Sequence, residues 1–246
     1  MKILLTNDDG LYGEGLRYLA EWSRQLGEVF IAAPKYEQSG RSQGIVIHEP
    51  YEVIESDAFA DLGISAISVD ASPADCVRFV ADRMGVDFDF VFSGINNGYN
   101  LGHDIAYSGT CGAAFEANYA GIKAASFSTI RGNTKQASAY LSYVWDYITS
   151  NSIFDHCGML NVNIPEKVGG ILLTEQGKTF FRDHFIDAGE NMYKADVYLT
   201  RDVNGPLDLR YDTDAVLAGY CSVTPLLTNR TDRTAIEKLS AIKTDK

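Results

Sequence analysis

The chain has 246 residues, of which 46% are apolar and 22% are charged, a balance typical of a globular protein and not of a disordered one. Its formal net charge of −12 argues against a surface that binds nucleic acid by neutralising phosphates, because such surfaces are rich in Lys and Arg. The length favours a single domain over residues 1–246. In it, about residues 1–150 form the core, and about residues 151–246 add strands, an arm and a C-terminal helix.

Apolar runs and amphipathic segments alternate along the first 150 residues. We predict strands over residues 2–6, 29–33, 88–92 and 124–130, and helices over residues 15–26, 72–84, 110–119 and 135–148. Strands that alternate with helices lie parallel in one sheet, with helices on its faces. The pattern therefore predicts an α/β fold with a Rossmann-like, three-layer core around a parallel sheet.

After residue 150 the alternation weakens. Residues 159–164 and 170–174 are predicted strands, and residues 178–200 are predicted to form an extended arm or hairpin. Such an arm buries little apolar surface by itself, so we expect it to contact another subunit.

Two adjacent carboxylates, Asp8 and Asp9, end the first predicted strand and precede Gly10. Paired anionic oxygens at a sheet edge favour a divalent cation, which offsets their mutual repulsion. The alternative is that the pair caps the following helix and stabilises its positive end.

Three polar loops follow strands of the predicted sheet: residues 7–10, 34–42 and 93–109. Because the carboxyl ends of parallel strands share one edge, we expect these loops to converge on one site. The third loop runs through Ser108, Gly109 and Thr110 into a helix of small residues. Its N–H groups and hydroxyls would suit a phosphate, although an ordinary N-cap explains the triplet equally well.

The cysteines and histidines give little evidence of a site. Cys76, Cys111, Cys157 and Cys221 show no CxxC spacing and are expected to be reduced core thiols. The four histidines form no zinc motif, and only His103, beside the glycine-rich loop, has a modest claim on function. The sequence has no signal peptide and no run near 18 apolar residues, which favours a cytoplasmic protein without membrane contact.

Several motifs in fixed order resemble the SurE family of stationary-phase survival proteins. They cover nearly the whole chain and lie at residues 6–10, 33–40, 72–77, 93–96, 100–110, 160–165 and 219–226. The resemblance implies a metal-dependent phosphatase that hydrolyses nucleoside 5′-monophosphates, and in some members 3′-monophosphates and short polyphosphate. It also implies a homodimer or homotetramer in which the C-terminal part exchanges across the interface.

The family's metal ligands map onto Asp8, Asp9, Ser39 and Asn96. All four offer oxygen, which suits one Mg²⁺ or Mn²⁺ per subunit, with Ca²⁺ as an alternative. A water positioned by the ion or by an aspartate would attack phosphorus in line, and Asn96, Ser108, Gly109 and Thr110 would bind the phosphate. Attack by Asp8 itself, which would give an aspartyl-phosphate, is the rival chemistry.

Some positions depart from the family pattern, including Arg41 in the second loop, where a solvated arginine is favoured over a phosphate contact. Base and sugar preference therefore stay open. Two other function classes compete. A nucleotide sensor without turnover would use the same crevice, whereas a dinucleotide oxidoreductase is disfavoured because no GxGxxG follows the first strand.

Overall fold

A nine-stranded, mostly parallel sheet forms the centre of the protein in the computed structural model, which describes residues 1–200 and 205–240. Its strands are β1 (Lys2–Thr6), β2 (Glu28–Pro34), β3 (Val53–Ser56), β4 (Ser65–Val69), β5 (Phe90–Asn97), β6 (Lys123–Thr129), β7 (Met159–Ile164), β8 (Ile171–Leu173) and β11 (Cys221–Pro225). Their order in the sheet is β3-β4-β2-β1-β5-β6-β7-β11-β8. The β3–β4 and β7–β11 pairs are antiparallel, and the others are parallel.

Helices cover both faces of this sheet. The described helices are α1 (Glu14–Ser23), α2 (Pro73–Arg83), α3 (Gly109–Tyr119), α4 (Thr134–Ser138), α5 (Leu141–Ser150), α6 (Asp212–Leu217) and α7 (Arg233–Leu239). Helix α7 has no buried residue and takes no part in covering the sheet. Leu16 of α1 and Trp145 of α5 belong to the core on one face, whereas Val77 of α2 and Ala113 of α3 belong to the core on the other. The predicted three-layer α/β fold is confirmed.

Strand β1 shows why the sheet lies at the centre. Successive side chains of a strand point to opposite faces, and here Ile3 and Leu5 enter one core while Leu4 enters the other. All three are at most 1% exposed. A strand buried on both faces must be apolar at every position, which is the pattern that the sequence has.

The start of α2 is fixed by local chemistry. The Ser72 hydroxyl accepts a hydrogen bond from Asp75 N at 3.0 Å, and the Asp75 carboxylate accepts one from Ser72 N at 3.4 Å. Pro73 occupies the first turn, where its missing N–H costs nothing. This reciprocal capping explains why the helix begins where Ser72 and Pro73 predicted it.

The predicted end of the third core strand was wrong. A strand over residues 88–92 followed by a loop from residue 93 was expected, but β5 continues to Asn97. Gly94 makes this possible, because its φ of +133° is open to glycine and its α-carbon faces Phe127 O on β6. The strand therefore carries Asn96 to the sheet edge directly.

Other elements were missed or merged. Strands β3 and β4 and helix α6 were not predicted, and β4 is rich in small residues, with Ser65, Ala66 and Ser68 among its five. The helix expected over residues 135–148 is two helices, α4 and α5, which meet at residues 139–140. Helix α1 ends at Ser23, three residues before its predicted end.

The predicted arm over residues 178–200 is a hairpin of β9 (Phe181–Gly189) and β10 (Met192–Leu199). Its apolar side chains are exposed, with Phe185 at 71% and Tyr193 at 67%.

The four cysteines are free, and three of them are buried. In residues 1–200 and 205–240, none of the helices has the length and hydrophobicity of a membrane span. The last six residues of the chain, 241–246, belong to the predicted C-terminal region and lie outside the described part.

Candidate active site

A cleft of about 430 Å³ lies at the carboxyl ends of β1, β2 and β5. The three loops that were predicted to converge all contribute to its walls. Five of the predicted site residues line it, and they are Asp8, Asp9, Ser39, Asn96 and Ser108. Arg41 lies instead in a separate cavity, beside Asp70 and Ser72.

Asp8 is the most deeply buried acid of the cleft, with 4% of the residue exposed. Thr110 Oγ1 donates a hydrogen bond to Asp8 Oδ1 at 2.5 Å. Burial raises the pKa of Asp8 from 3.8 to about 6; the Thr110 hydroxyl acts in the opposite direction, and the nearby charge of Asp9 raises the pKa further. A nearby cation would therefore stabilise the ionised form of Asp8.

Asp9 is less buried but has a similar environment. Its pKa is also raised, first by burial and then by the charge of Glu37, while the Asn97 N–H and the charge of Arg131 lower it. Two neighbouring carboxylates with raised pKa values indicate uncompensated negative charge at the end of β1.

Ser39 and Asn96 each keep an oxygen available to a ligand. The Ser39 hydroxyl donates to Glu37 Oε1 at 2.6 Å, which leaves lone pairs on Ser39 Oγ. Asn96 Nδ2 donates to Gly98 O at 2.8 Å, and no donor from the described residues reaches Asn96 Oδ1. Together with Asp8 and Asp9 they form a set of four oxygen donors.

The three residues at the start of α3, Ser108, Gly109 and Thr110, have different contacts. Ser108 is the N-cap, since its hydroxyl accepts from Cys111 N at 3.0 Å, and it also lines the cleft. Thr110 is fully buried and gives its hydroxyl to Asp8. Gly109 lies against Asp8, where an added Cβ would stand 2.9 Å from Asp8 Cβ. The predicted phosphate role of the triplet stays a prediction, and the Thr110 hydroxyl acts through Asp8.

Three charged residues of the cleft were missed, and they are Glu37, Asp104 and Arg131. Glu37 and Asp104 lie within the predicted polar loops but were not chosen as site residues. One signal was available for Arg131, because it follows the predicted strand over residues 124–130, and the ends of parallel strands meet at this edge.

A buried polar network supports the loop that follows Asn96. Asn163 Oδ1 accepts from Asn100 N at 2.9 Å, and Asn163 Nδ2 donates to Asn100 O at 2.9 Å. Asn161 Nδ2 donates to the same carbonyl at 2.8 Å, and Asn100 Nδ2 donates to Ser128 Oγ at 2.8 Å. Strands β6 and β7 thus hold Asn100 at the cleft.

Replacing Asn163 with alanine should destabilise the fold by about 1–3 kcal/mol, because the buried Asn100 N–H loses its acceptor. Urea unfolding measures this loss, with Asn151→Ala as the control, since Asn151 is exposed and, among the described residues, its side chain bonds only to Tyr147 O of the preceding helix. Equal unfolding midpoints for Asn163→Ala and wild type would contradict the role of this network.

The base of the hairpin is tied to the same loop. Asp104, which lines the cleft, accepts from Phe181 N at 3.0 Å, and His103 Nδ1 lies 3.0 Å from Thr179 Oγ1. Asp212 of α6 accepts from Gly102 N at 3.0 Å. His103 therefore contacts the hairpin base, and the structure gives it no place among the cleft-lining residues.

The atoms that could bind a metal ion in the cleft are oxygens. Within the described ranges there is no group of three or more His, Cys, Asp and Glu side chains that could hold a metal ion. A site here would combine the carboxylates of Asp8 and Asp9 with a hydroxyl and an amide oxygen. Hard cations such as Mg²⁺ and Mn²⁺ accept such ligands, whereas zinc favours His and Cys.

Known proteins resemble this chain in sequence and in fold. Residues 3–183 match the family model "Survival protein SurE". A protein of Geotalea uraniireducens named 5′-nucleotidase SurE is 35% identical over 99% of this chain and 98% of its own length. A protein of the same name from Vibrio cholerae is 34% identical over 98% of this chain and 96% of its own. The crystal structure of a SurE protein from Aquifex aeolicus aligns with a TM-score of 0.80 at 30% identity and covers 98% of both chains.

Proposed function

Because the chain belongs to the SurE family of survival proteins, we propose that it is a 5′-nucleotidase that uses a divalent ion to release phosphate from nucleoside 5′-monophosphates. The observation that carries the proposal is the meeting of four oxygen donors and the start of α3 in one cleft. Hydrolysis of 3′-monophosphates and short polyphosphate is part of the same proposal.

One Mg²⁺ or Mn²⁺ would be held by Asp8, Asp9, Ser39 and Asn96, with Ca²⁺ as an alternative. The residues fit such an ion, since Asn96 turns its amide nitrogen to Gly98 and keeps Oδ1 free of donors from the described residues. Burial of Asp8 and Asp9 also leaves their charge poorly compensated without a cation.

The protein's own groups would perform three tasks in the reaction. Ser108 Oγ, which accepts from Cys111 N, keeps its proton to donate to a phosphate oxygen. Thr110 holds Asp8 in place through Oδ1, and Asp9 would orient a water for in-line attack. When bound, the divalent ion would polarise the phosphate and offset its charge.

The proposed attack by water can be separated from attack by Asp8. The burial of Asp8 and its bond to Thr110 favour a holding role, because one of its oxygens is already engaged. A single turnover in ¹⁸O-water should place the label in phosphate alone. Label in the Asp8 carboxylate would indicate an aspartyl-phosphate.

The function itself is tested by a panel of nucleoside 5′- and 3′-monophosphates with Mg²⁺, Mn²⁺ or Ca²⁺, and with EDTA as the metal-free control. We expect phosphate release from 5′-monophosphates that EDTA abolishes. Binding of nucleotide without any release would identify a sensor instead, and release that EDTA leaves unchanged would contradict the role of the ion.

Ion binding should weaken in acid, because a proton competes with the cation for Asp8. The pKa of Asp8 is raised to about 6, so below about pH 6 the apparent Mn²⁺ affinity should fall roughly tenfold per pH unit. Thr110→Val removes a bond that favours the ionised form, so the fall should begin at higher pH. Mn²⁺ titrations followed by electron paramagnetic resonance measure both effects, and an affinity that is constant from about pH 5 to 7 would contradict them.

The protein is also proposed to form a homodimer or homotetramer through its hairpin. The exposed apolar side chains of β9 and β10, among them Phe185 and Tyr193, favour burial against another subunit. Light scattering should report a dimer or a tetramer. A monomer at micromolar concentration would contradict this part of the proposal.

A further inference from the structure

The cleft that holds the candidate ion site has one cation among many acids. Within the described part of the chain, Arg131 is its only cationic lining residue, whereas Asp8, Asp9, Glu37 and Asp104 all contribute carboxylates. The four carboxylates carry four negative charges, whereas the guanidinium and a bound divalent ion together carry three positive charges. One negative charge is therefore in excess. Removing Arg131 would double that excess, and a phosphate dianion would be repelled more strongly.

The turn that carries Arg131 is held firmly. Gly132 N donates to Asn97 Oδ1 at 2.7 Å, which ties this turn to the end of β5. Asn133 is buried, and its Nδ2 donates to Thr129 Oγ1 at 3.1 Å. Arg131 thus projects from a fixed support beside Asn96, the last residue of the candidate ligand set along the chain.

The order of the strands places Arg131 across the site from Ser39. Neighbouring strands run β2-β1-β5-β6, so the loop of Ser39 lies at one end of the row, and Arg131, after β6, lies at the other. Asp8, Asp9 and Asn96 lie between them. Arg131 therefore lines the side of the cleft that lies opposite Ser39.

The guanidinium of Arg131 is available for a phosphate ligand. Arg131 is exposed, and no carboxylate of the described residues lies within the 4.0 Å of an ion pair with it. The residue still lines the cleft, together with Asp9 and Asn96. A guanidinium presents several N–H donors in a plane, which matches two oxygens of one phosphate.

We propose that Arg131 binds the phosphate of the substrate from the side opposite Ser39 and makes the cleft selective for phosphomonoester dianions. This inference rests on the proposed nucleotidase function and adds a substrate-binding residue that no motif of the chain contains. Its competitors are a positioning role toward Asp9 and a solvated arginine with no role.

The test compares Arg131→Gln, Arg131→Lys and the control Arg24→Gln, which removes the same charge from an exposed position after α1. Three quantities are measured: kcat/KM for a nucleoside 5′-monophosphate, the inhibition constant of inorganic phosphate, and the dissociation constant of Mn²⁺. We expect Arg131→Gln to lower kcat/KM and weaken phosphate inhibition by about 10- to 100-fold, the effect of a lost charge-assisted contact. Arg131→Lys should retain part of the activity, and Arg24→Gln all of it.

Mn²⁺ binding separates the competing roles. Loss of a cation should leave Mn²⁺ affinity unchanged or strengthen it, because repulsion between the two cations is removed. Phosphate inhibition within twofold of wild type, or a loss of activity that parallels weaker Mn²⁺ binding, would overturn the proposal. If wild type itself released no phosphate, the proposed function would fail, whereas active wild type with an equally active Arg131→Gln would refute only the role of Arg131.

Discussion

Asp8→Asn is expected to abolish the nucleotidase activity and, at the same time, to stabilise the metal-free fold. The loss of activity should be about 10³-fold or more, because an ion ligand and a negative charge disappear together while the shape of the side chain is kept. The gain in stability has a separate cause. Asp8 is buried as a carboxylate whose pKa is raised from 3.8 to about 6, so its ionised form opposes folding.

The sign of the stability effect follows from proton binding. The folded protein holds the Asp8 proton more tightly than the unfolded chain, so the favourable contribution is present below pH 3.8 and is lost as the pH rises through about 6. At neutral pH the neutral asparagine avoids this cost, which amounts to roughly 1–3 kcal/mol. Thermal unfolding in EDTA should therefore show a higher Tm for Asp8→Asn than for wild type.

Added Mn²⁺ should reverse this order, because only wild type gains stability from the ion. Asp146→Asn, at an exposed position of α5, is the matched control and should change neither activity nor Tm. Retained activity in Asp8→Asn would contradict the assignment of Asp8 as a ligand of the ion. A lower Tm in EDTA would show that its carboxylate is compensated by groups of the protein.

Parts of the fold with strong local signals were predictable from the sequence. Strand β1 is apolar on both faces, and Ser72 with Pro73 fixes the start of α2. Strand β4 was missed because Ser65, Ala66 and Ser68 give little hydrophobic contrast, although β4 is paired on both sides. The extension of β5 past Gly94 depends on close approach to β6, which no local pattern records.

The candidate site was predictable where several strands end in polar residues. Asp8 and Asp9 follow β1, Ser39 lies in the loop after β2, and Asn96 lies near the carboxyl end of β5, so the α/β order predicts that these segments meet at one edge. The choice of Ser39 and Asn96 within their segments came from the resemblance to the SurE family. The partners of these residues were not predictable. Thr110 meets Asp8 across 102 positions of sequence, and Arg131 enters the cleft from a turn outside every motif. Such contacts depend on tertiary packing.

Gly109→Ala is expected to lower kcat/KM by about 10²-fold while the fold persists. A misplacement of a catalytic group by about 1 Å is enough to cause a loss of this size. An added Cβ would stand 2.9 Å from Asp8 Cβ, 3.1 Å from Asp8 Oδ2 and 3.3 Å from Gln38 O. Asp8 and the loop that carries Ser39 would both have to move. Gly109 lies in the first turn of α3, where alanine suits the helix, so the effect should fall on the site.

The matched control is Gly169→Ala, whose added Cβ would meet, among the described residues, only Gly219 O at an ordinary 3.4 Å. Steady-state kinetics and Mn²⁺ titration of both variants decide the matter, with Tm as the measure of the fold. We expect Gly109→Ala to lose activity and Mn²⁺ affinity together, because the misplaced group is a candidate ligand, and Gly169→Ala to keep both. Activity of Gly109→Ala within twofold of wild type would mean that Asp8 tolerates displacement, and a tightly positioned ion site at the end of β1 would then be excluded.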